Sequence, residues 1–245
     1  MKKQKGKLNL NNHEGYFDLI EDEVHVIGVG ATGSWAVHAL YRMGIPNIHV
    51  YDFDHIESKN NQNQSFHPDE VGLQKVDAIF NQFESISIEN PIIPHDVKIE
   101  SIDDFDFSSG KPHTVFLLTD SIDSRLSIAK ELEKDQNLTT IIETRLTVSA
   151  SDIYLFNPLT DVIDGKYTRW QENLADLKKV IATPEYQEGA ELTPCGSPLA
   201  IGTTAMITGA LAVNVYIDFI KNNTQIDMPF QYYMDSRSFM ASIGE

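Results

Sequence analysis

Gly28-Val29-Gly30-Ala31-Thr32-Gly33 forms a G-x-G-x-x-G turn between a β-rich run at 24–29 and a segment of helical character. Such a turn suits phosphate. Its glycines allow a tight bend and close backbone approach, and the helix behind it presents unpaired N–H groups. Asp52 follows roughly 20 residues beyond the last glycine, at the end of the next strand, where a carboxylate accepts hydrogen bonds from ribose hydroxyls. The chemistry is therefore nucleotide binding, and the turn alone does not separate NAD or FAD from ATP. Cys195, in TPCGSPLAIG ahead of a long apolar stretch, is the one thiol. Near a helix N-terminus it is biased toward thiolate; buried, it is a small hydrophobe. The eight histidines are scattered along the chain without metal-ligand spacing, which argues against a histidine metal site.

These residues need elements to position them. Residues 24–29 and 47–51 read as strands around a helix over 31–43 that stops at Gly44. That is a βαβ unit, hence parallel strands with a right-handed crossover. Helices are expected at 72–86, with Val76, Ile79, Phe80 and Phe83 on one face, and at 121–135; strands are expected at 92–97, 115–118 and 140–143. Residues 57–68 read as a polar loop. After 146 the pattern changes to a strand at 146–156, a charged irregular region at 160–190, an uncharged helix within 192–217 and a strand at 230–234. The fold class is α/β and doubly wound, with a parallel N-terminal half and a mixed, antiparallel C-terminal half. No Gly/Ser-rich linker interrupts it, so 1–245 reads as a single domain with 1–20 as an N-terminal extension.

Composition narrows the function classes. A chain of 245 residues, 41% hydrophobic, can bury a sizeable core and is not disordered. Acidic residues outnumber basic ones 36 to 19, a net charge of -17 that repels nucleic acid and anionic membranes. One cysteine rules out an internal disulfide and a Cys-rich zinc site, and fits a reducing cytoplasm. Lys2, Lys3, Lys5 and Lys7 are followed by no apolar secretory core. The uncharged stretch at 192–217 contains Pro194, Pro198, Gly202 and Gly209, and reads as a buried helix rather than a lipid span.

VYDFDHIESKNNQNQSF at 50–66, PDEVGLQK at 68–75 and TDSIDSR at 119–125, in order after the glycine turn, resemble the ThiF/MoeB/ubiquitin-activating superfamily over 24–220. The resemblance implies a Rossmann-like adenylyltransferase that binds ATP and Mg²⁺. A substrate carboxylate, the C-terminal Gly of a ubiquitin-like protein or of a peptide, attacks the α-phosphate to give an acyl-adenylate and pyrophosphate. It also implies a homodimer. By the same resemblance, backbone at Gly28, Gly30, Ala31, Thr32 and Gly33 cradles phosphate, Asp52 takes the ribose and Asp54 lies beside the phosphate path. Asn60, Asn63 and Gln64 line the nucleotide, Lys75 reaches phosphate and ribose oxygens, and Asp120 holds Mg²⁺ and the reacting α-phosphate. Arg125 is structural. Lys75, Asp120 and Cys195 are the catalytic candidates, with Cys195 as an acyl or sulfur acceptor. Asn63 stands where the family has Arg, so a hydrogen-bond donor replaces a charge; Lys2, Lys3, Lys5 or Lys7 from a partner subunit would restore it. The family's zinc-binding Cys pairs are absent, so no zinc is expected.

Each residue also has a plainer reading. Lys75 would be a solvated helix cation, Asp120 a helix cap, and Asn60 and Gln64 turn residues. Arg145 would face the nucleotide cleft or an acidic neighbour. Two other functions use the same turn: an NAD(P)-dependent oxidoreductase, which leaves the N-x-x-N-Q and G-x-x-K elements without a role, and a non-catalytic nucleotide-binding scaffold, which the Asn63 departure favours.

Overall fold

The computed structural model describes residues 22–86, 91–108, 110–157, 159–163, 167–183, 201–221, 231–235 and 240–244. Cys195, the expected N-terminal extension and its four lysines lie outside these residues. In chain order the elements are β1 (Glu23–Ile27), α1 (Ala31–Met43), β2 (Ile48–Tyr51), α2 (Lys75–Glu84), β3 (Ile92–His95), β4 (His113–Leu117), α3 (Ile122–Leu132), β5 (Leu138–Leu146), β6 (Ala150–Phe156), β7 (Val162–Ile163), β8 (Tyr167–Thr168), α4 (Arg169–Ile181), α5 (Gly202–Lys221), β9 (Gln231–Asp235) and β10 (Met240–Gly244). Among the described residues, eight strands form one sheet in the order β10-β9-β6-β5-β4-β1-β2-β3, and β7 pairs with β8 in a second.

The pairs β2–β3, β1–β2, β1–β4 and β4–β5 are parallel. From β5 outward, the pairs β5–β6, β6–β9 and β9–β10 are antiparallel. The chain winds from β1 through β2 to β3 on one side, and from β4 to β5 on the other. The strand order therefore reverses between β1 and β4, where a crevice opens beyond the carboxyl ends of the strands.

Alternation along the strands sends side chains to opposite faces. Val24, Val26, Val50, Phe116, Ile142 and Ile153 pack under α1, α2 and α5. Ile27, Val115, Leu117, Ile141 and Phe156 pack under α3 and α4, with Trp170 and Leu174 supplied by α4. The same alternation collects four histidines that are far apart in sequence. His25 stacks on His49 with ring centroids 4.5 Å apart, His49 on His95 at 5.2 Å, and His25 meets His113 edge-on at 5.5 Å. The reading of scattered histidines is corrected on this point: adjacent strands made neighbours of residues that sequence spacing kept apart.

Three other expectations change. The region 160–190 contains helix α4, whose charged exposed face masks a core contact made by Trp170 and Leu174. The polar loop 57–68 contains a 3₁₀ turn over Ser58–Gln62, and helix α2 begins at Lys75 rather than at 72. Strand β10 had no expectation at all.

α5 is long and apolar enough to cross a membrane by length and composition, and 56% of its most apolar 18-residue stretch is buried within the fold. It lies along α1. A Cβ at Gly209 would stand 2.8 Å from both the Ala36 amide nitrogen and the Thr32 carbonyl oxygen. Alanine improves helix propensity by up to about 1 kcal/mol, whereas overpacking two backbones costs roughly 1–3 kcal/mol. Gly209→Ala is therefore expected to lower unfolding stability by about 1–2 kcal/mol in a urea titration, and an unchanged midpoint would show that α1 and α5 separate freely.

Candidate active site

β1 delivers the glycine turn to the crevice, and the backbone there requires glycine. Gly28 has φ +88°, and a Cβ on it would meet the Leu118 carbonyl oxygen at 2.9 Å; one on Gly33 would sit 1.9 Å from the Gly28 carbonyl oxygen. Gly30 is the N-cap of α1, with no side chain capping the helix and no acidic residue in its first turn. The first N–H groups of α1, at Ala31 and Thr32, thus have no intrahelical partner and point their positive dipole end at the crevice.

Asp52, at the end of β2, is tied to that turn. Its Oδ2 accepts from the Val29 N–H at 2.9 Å, and its Oδ1 accepts from the Asp54 N–H at 2.9 Å. Burial pushes its pKa above the ordinary carboxylate value, against the pull of Lys75 and the two N–H donors. Lys75 opens α2 and is only 6% exposed. Its Nζ donates to Asp54 Oδ2 at 2.8 Å and lies 3.7 Å from Asp52 Oδ1. The solvated-cation reading of Lys75 therefore fails: the ammonium is buried against two carboxylates.

α1 also holds the Asn60–Gln64 segment in place. Trp35 Nε1 donates to the Asn63 carbonyl at 3.1 Å, and Ser34 Oγ accepts from the Ser65 N–H at 3.0 Å. Asn60 Oδ1 accepts from the Glu57 N–H at 2.7 Å and closes the 3₁₀ turn. Gln64 reaches over the glycine turn, with Nε2 4.0 Å from where a Gly30 Cβ would be. Its Oε1 is buried without a hydrogen-bond partner, as is Thr119 Oγ1 across the crevice. Two buried polar atoms without partners, one in the segment over the glycine turn and one at the end of β4, are groups that a ligand with hydroxyls or amines would satisfy.

Asp120 follows β4, exposed at the mouth of the crevice. It is not the cap of α3: that place belongs to Ser121, whose Oγ accepts from the Ser124 N–H at 3.3 Å. Behind Asp120 lies a buried polar network that the sequence did not disclose. Glu143 on β5 is fully buried. It binds the Arg125 guanidinium, accepts from Arg145 Nε at 3.0 Å and from Trp170 Nε1 at 3.1 Å. Arg125 Nε in turn donates to the Thr119 carbonyl at 2.7 Å, one residue before Asp120. Burial lowers the Arg125 pKa to about 10, with Arg145 adding repulsion. Arg145 faces its acidic neighbour, resolving the alternative left open in the sequence. Its guanidinium also lies 4.1 Å over the Tyr154 ring.

The structure thus gathers the glycine turn, Asp52, Asp54, Gln64, Lys75 and Asp120 around the β1/β4 switch point. It gives Asn60 a capping role, sets the Asn63 carbonyl on Trp35, and places Arg125 in the network behind. The residues missed from sequence are Ser34, Trp35, Glu143 and Trp170, while Thr119 was read only as part of the TDSIDSR element. Their signals are tertiary: the expected strand at 140–143 stopped short of Arg145, and only the longer β5 sets it two residues from Glu143 on one face.

Ubiquitin-like modifier-activating enzyme 5 of Drosophila willistoni is 34% identical over 97 residues, 40% of this chain and 24% of its own length. The Caenorhabditis briggsae enzyme of the same name is 30% identical over 118 residues, 48% of this chain and 27% of its own length. The matches to these curated relatives thus span about a quarter of their length. Among solved structures, E. coli MccB with AMPCPP and MccA superposes with a TM-score of 0.65 at 17% identity, covering 93% of this chain and 64% of that one. TcdA (CsdL) superposes at 0.58 with 19% identity, covering 83% and 88%. These likenesses carry the fold, a doubly wound α/β sheet. The ThiF family model matches residues 3–241, nearly the whole length, and the chain belongs to the ThiF family.

Proposed function

We propose that the protein is an ATP-dependent adenylyltransferase that activates the C-terminal carboxylate of a ubiquitin-like protein or of a peptide. The observation that carries this reading is the convergence at one switch point of an uncapped phosphate-binding turn, a buried lysine braced by two carboxylates, and an exposed aspartate. That set positions and neutralises a triphosphate and offers no hydride-transfer constellation. The similarity to activating enzymes and to MccB supports it.

The N–H groups of α1 and the Gly28–Gly33 turn bind phosphate oxygens, and Asp52 orients the ribose with lone pairs left after its two backbone bonds. Lys75 exchanges part of its contact with Asp54 for phosphate and ribose oxygens. The attacking carboxylate is already ionised at neutral pH, so no general base is needed. Its oxygen forms a bond to the α-phosphorus while the bond to the β-phosphate oxygen breaks, and pyrophosphate leaves. Asp120 supplies a hard oxygen ligand fitting Mg²⁺, an ion that keeps most of its waters and takes one or two carboxylates plus substrate phosphate. When bound, Mg²⁺ neutralises phosphate charge, a need set by three aspartates against a single lysine here. We assign the acceptor role, if transfer follows adenylation, to Cys195; a homodimer and a cytoplasmic setting without nucleic-acid or membrane partners complete the proposal.

The test is ATP–pyrophosphate exchange with candidate proteins and peptides ending in Gly. Substrate-dependent exchange supports the reading. NADH binding without ATP binding overturns it in favour of the oxidoreductase, and ATP binding without exchange favours the scaffold. Asp120→Asn is expected to reduce exchange on the order of 100-fold while leaving the thermal midpoint in place, since the side chain is exposed.

A further inference from the structure

We propose that Glu23, His25 and His113 form a structural zinc site at the amino-terminal edge of the sheet. Parallel pairing sets Glu23, the first residue of β1, opposite His113, the first residue of β4. Their side chains and that of His25 share one face, buried to 3%, 1% and 0% exposure. Glu23 Oε2 lies 4.0 Å from His25 Nε2 and 3.7 Å from His113 Nδ1. All three ligand atoms fall within 4.8 Å of one another. Ligands on a tetrahedral zinc ion are about 3.3 Å apart, given Zn–N and Zn–O bonds of about 2.0–2.1 Å. The three atoms therefore need to close by only a few tenths of an ångström to more than one ångström.

The inward nitrogens are the ones left without partners. His25 Nε2 and His113 Nδ1 are both buried and unbonded. Glu23 does not satisfy them, because both contacts exceed hydrogen-bond length. The outward nitrogen of His25 meets an oxygen, with Nδ1 3.0 Å from Tyr51 Oη. That of His113 is turned toward Asp135, whose Oδ2 lies 3.9 Å away, beyond hydrogen-bond length, and itself lacks a partner. An imidazole with its outer nitrogen turned to an oxygen group and its inner nitrogen bare has the orientation of a metal ligand. Tyr51 Oη accepts from the Asp106 N–H at 3.1 Å, which leaves its remaining lone pair to receive the His25 Nδ1 proton.

The surroundings suit a divalent cation. Asp22 and Asp135 add negative charge near His113, and Lys111 opposes them from Glu23 Oε1 at 3.3 Å. Phe107 covers the group, with centroids 4.7 Å from His25 and 4.3 Å from His113. Two imidazoles and one carboxylate are a zinc ligand set, with water for the fourth position, since the second Glu23 oxygen holds Lys111. The neighbouring His49–His95–Asp106 group carries no such claim, since His49 Nδ1 and His95 Nε2 already bond each other at 3.0 Å. The site lies at the opposite end of β1 and β4 from the glycine turn, so its role is to clamp those strands and the segment carrying Phe107. The expectation of no zinc rested on one cysteine and on scattered histidines, and the second ground does not survive folding.

The experiment is titration of the tag-free full-length protein, stripped with chelator, with Zn²⁺ and with Co²⁺ as a spectroscopic probe. One ion per chain is expected, with visible bands of tetrahedral cobalt and an elevated thermal midpoint. His113→Gln should weaken binding at least about 100-fold, and His95→Gln should leave it within about twofold. X-ray absorption of the zinc-loaded wild type should show two imidazoles and no sulfur, a result independent of whether variants fold. Absence of stoichiometric binding, a sulfur ligand from Cys195, or unchanged binding in a folded His113→Gln protein overturns the site.

Discussion

Replacing Lys75 with alanine is expected to reduce ATP–pyrophosphate exchange on the order of 1,000-fold, the upper range for loss of one transition-state charge contact. Lys75 is the cation seated between Asp52 and Asp54, 3.7 and 2.8 Å away. Without it, the described residues of the site set only backbone dipoles against those carboxylates, Asp120 and an incoming triphosphate. Stability falls as well, by about 2–3 kcal/mol: Asp52 becomes an uncompensated buried charge, while the half-exposed Asp54 is screened and adds little.

A pH signature separates this cause from simple misfolding. Burial already raises the Asp52 pKa and Lys75 is the largest influence lowering it, so the variant raises it further. A carboxyl with a folded-state pKa above its unfolded value favours folding when protonated, and that contribution is lost as pH rises through the folded value. The variant should therefore regain stability on mild acidification relative to wild type, while the acid limb of its residual kcat/KM moves to higher pH. Exchange within tenfold of wild type would remove Lys75 from the mechanism.

Glu143→Ala is expected to cost about 3–5 kcal/mol of unfolding free energy, the range for removing one partner from a buried ionic group. The variant leaves the Arg125 and Arg145 guanidiniums facing each other at a fully buried position and strips Trp170 Nε1 of its acceptor. The effect should reach the crevice. Arg125 Nε holds the Thr119 carbonyl, so the backbone leading into Asp120 loses its anchor. Glu143→Gln keeps an acceptor without the charge and should lose roughly half as much. Urea unfolding read by Trp fluorescence measures both, and a loss below about 1 kcal/mol for the alanine variant would show that the network relaxes onto water.

Local chemistry was the legible part of this protein. Glycine freedom at a phosphate turn, a carboxylate at the next strand end and the 3.6-residue pattern of α1 are properties of neighbouring residues, and helix α1 falls on its expected span of Ala31–Met43. The N-x-x-N-Q, G-x-x-K and T-D elements were legible as a family likeness, and the match over residues 3–241 bears that likeness out. Helix α4 was not legible, because its exposed charges outnumber the two residues, Trp170 and Leu174, that reach the core.

The sequence by itself determined the α/β class, the parallel N-terminal half and the order of the candidate-site residues, since these follow from periodicity and from motifs read along the chain. Only the tertiary structure decided that Lys75 is buried between carboxylates rather than solvated. It also decided that Ser121, not Asp120, caps α3. It joined Glu143, on β5, to Arg125 and Trp170. It brought Glu23, His25 and His113 to one buried point. The Ser121 cap is local, but the polar network and the histidine group depend on strand order and register, which bring residues 90 positions apart within a few ångströms, as Glu23 and His113 show. Distances of that kind are fixed by packing and pairing across the sheet, for which sequence separation holds no ruler.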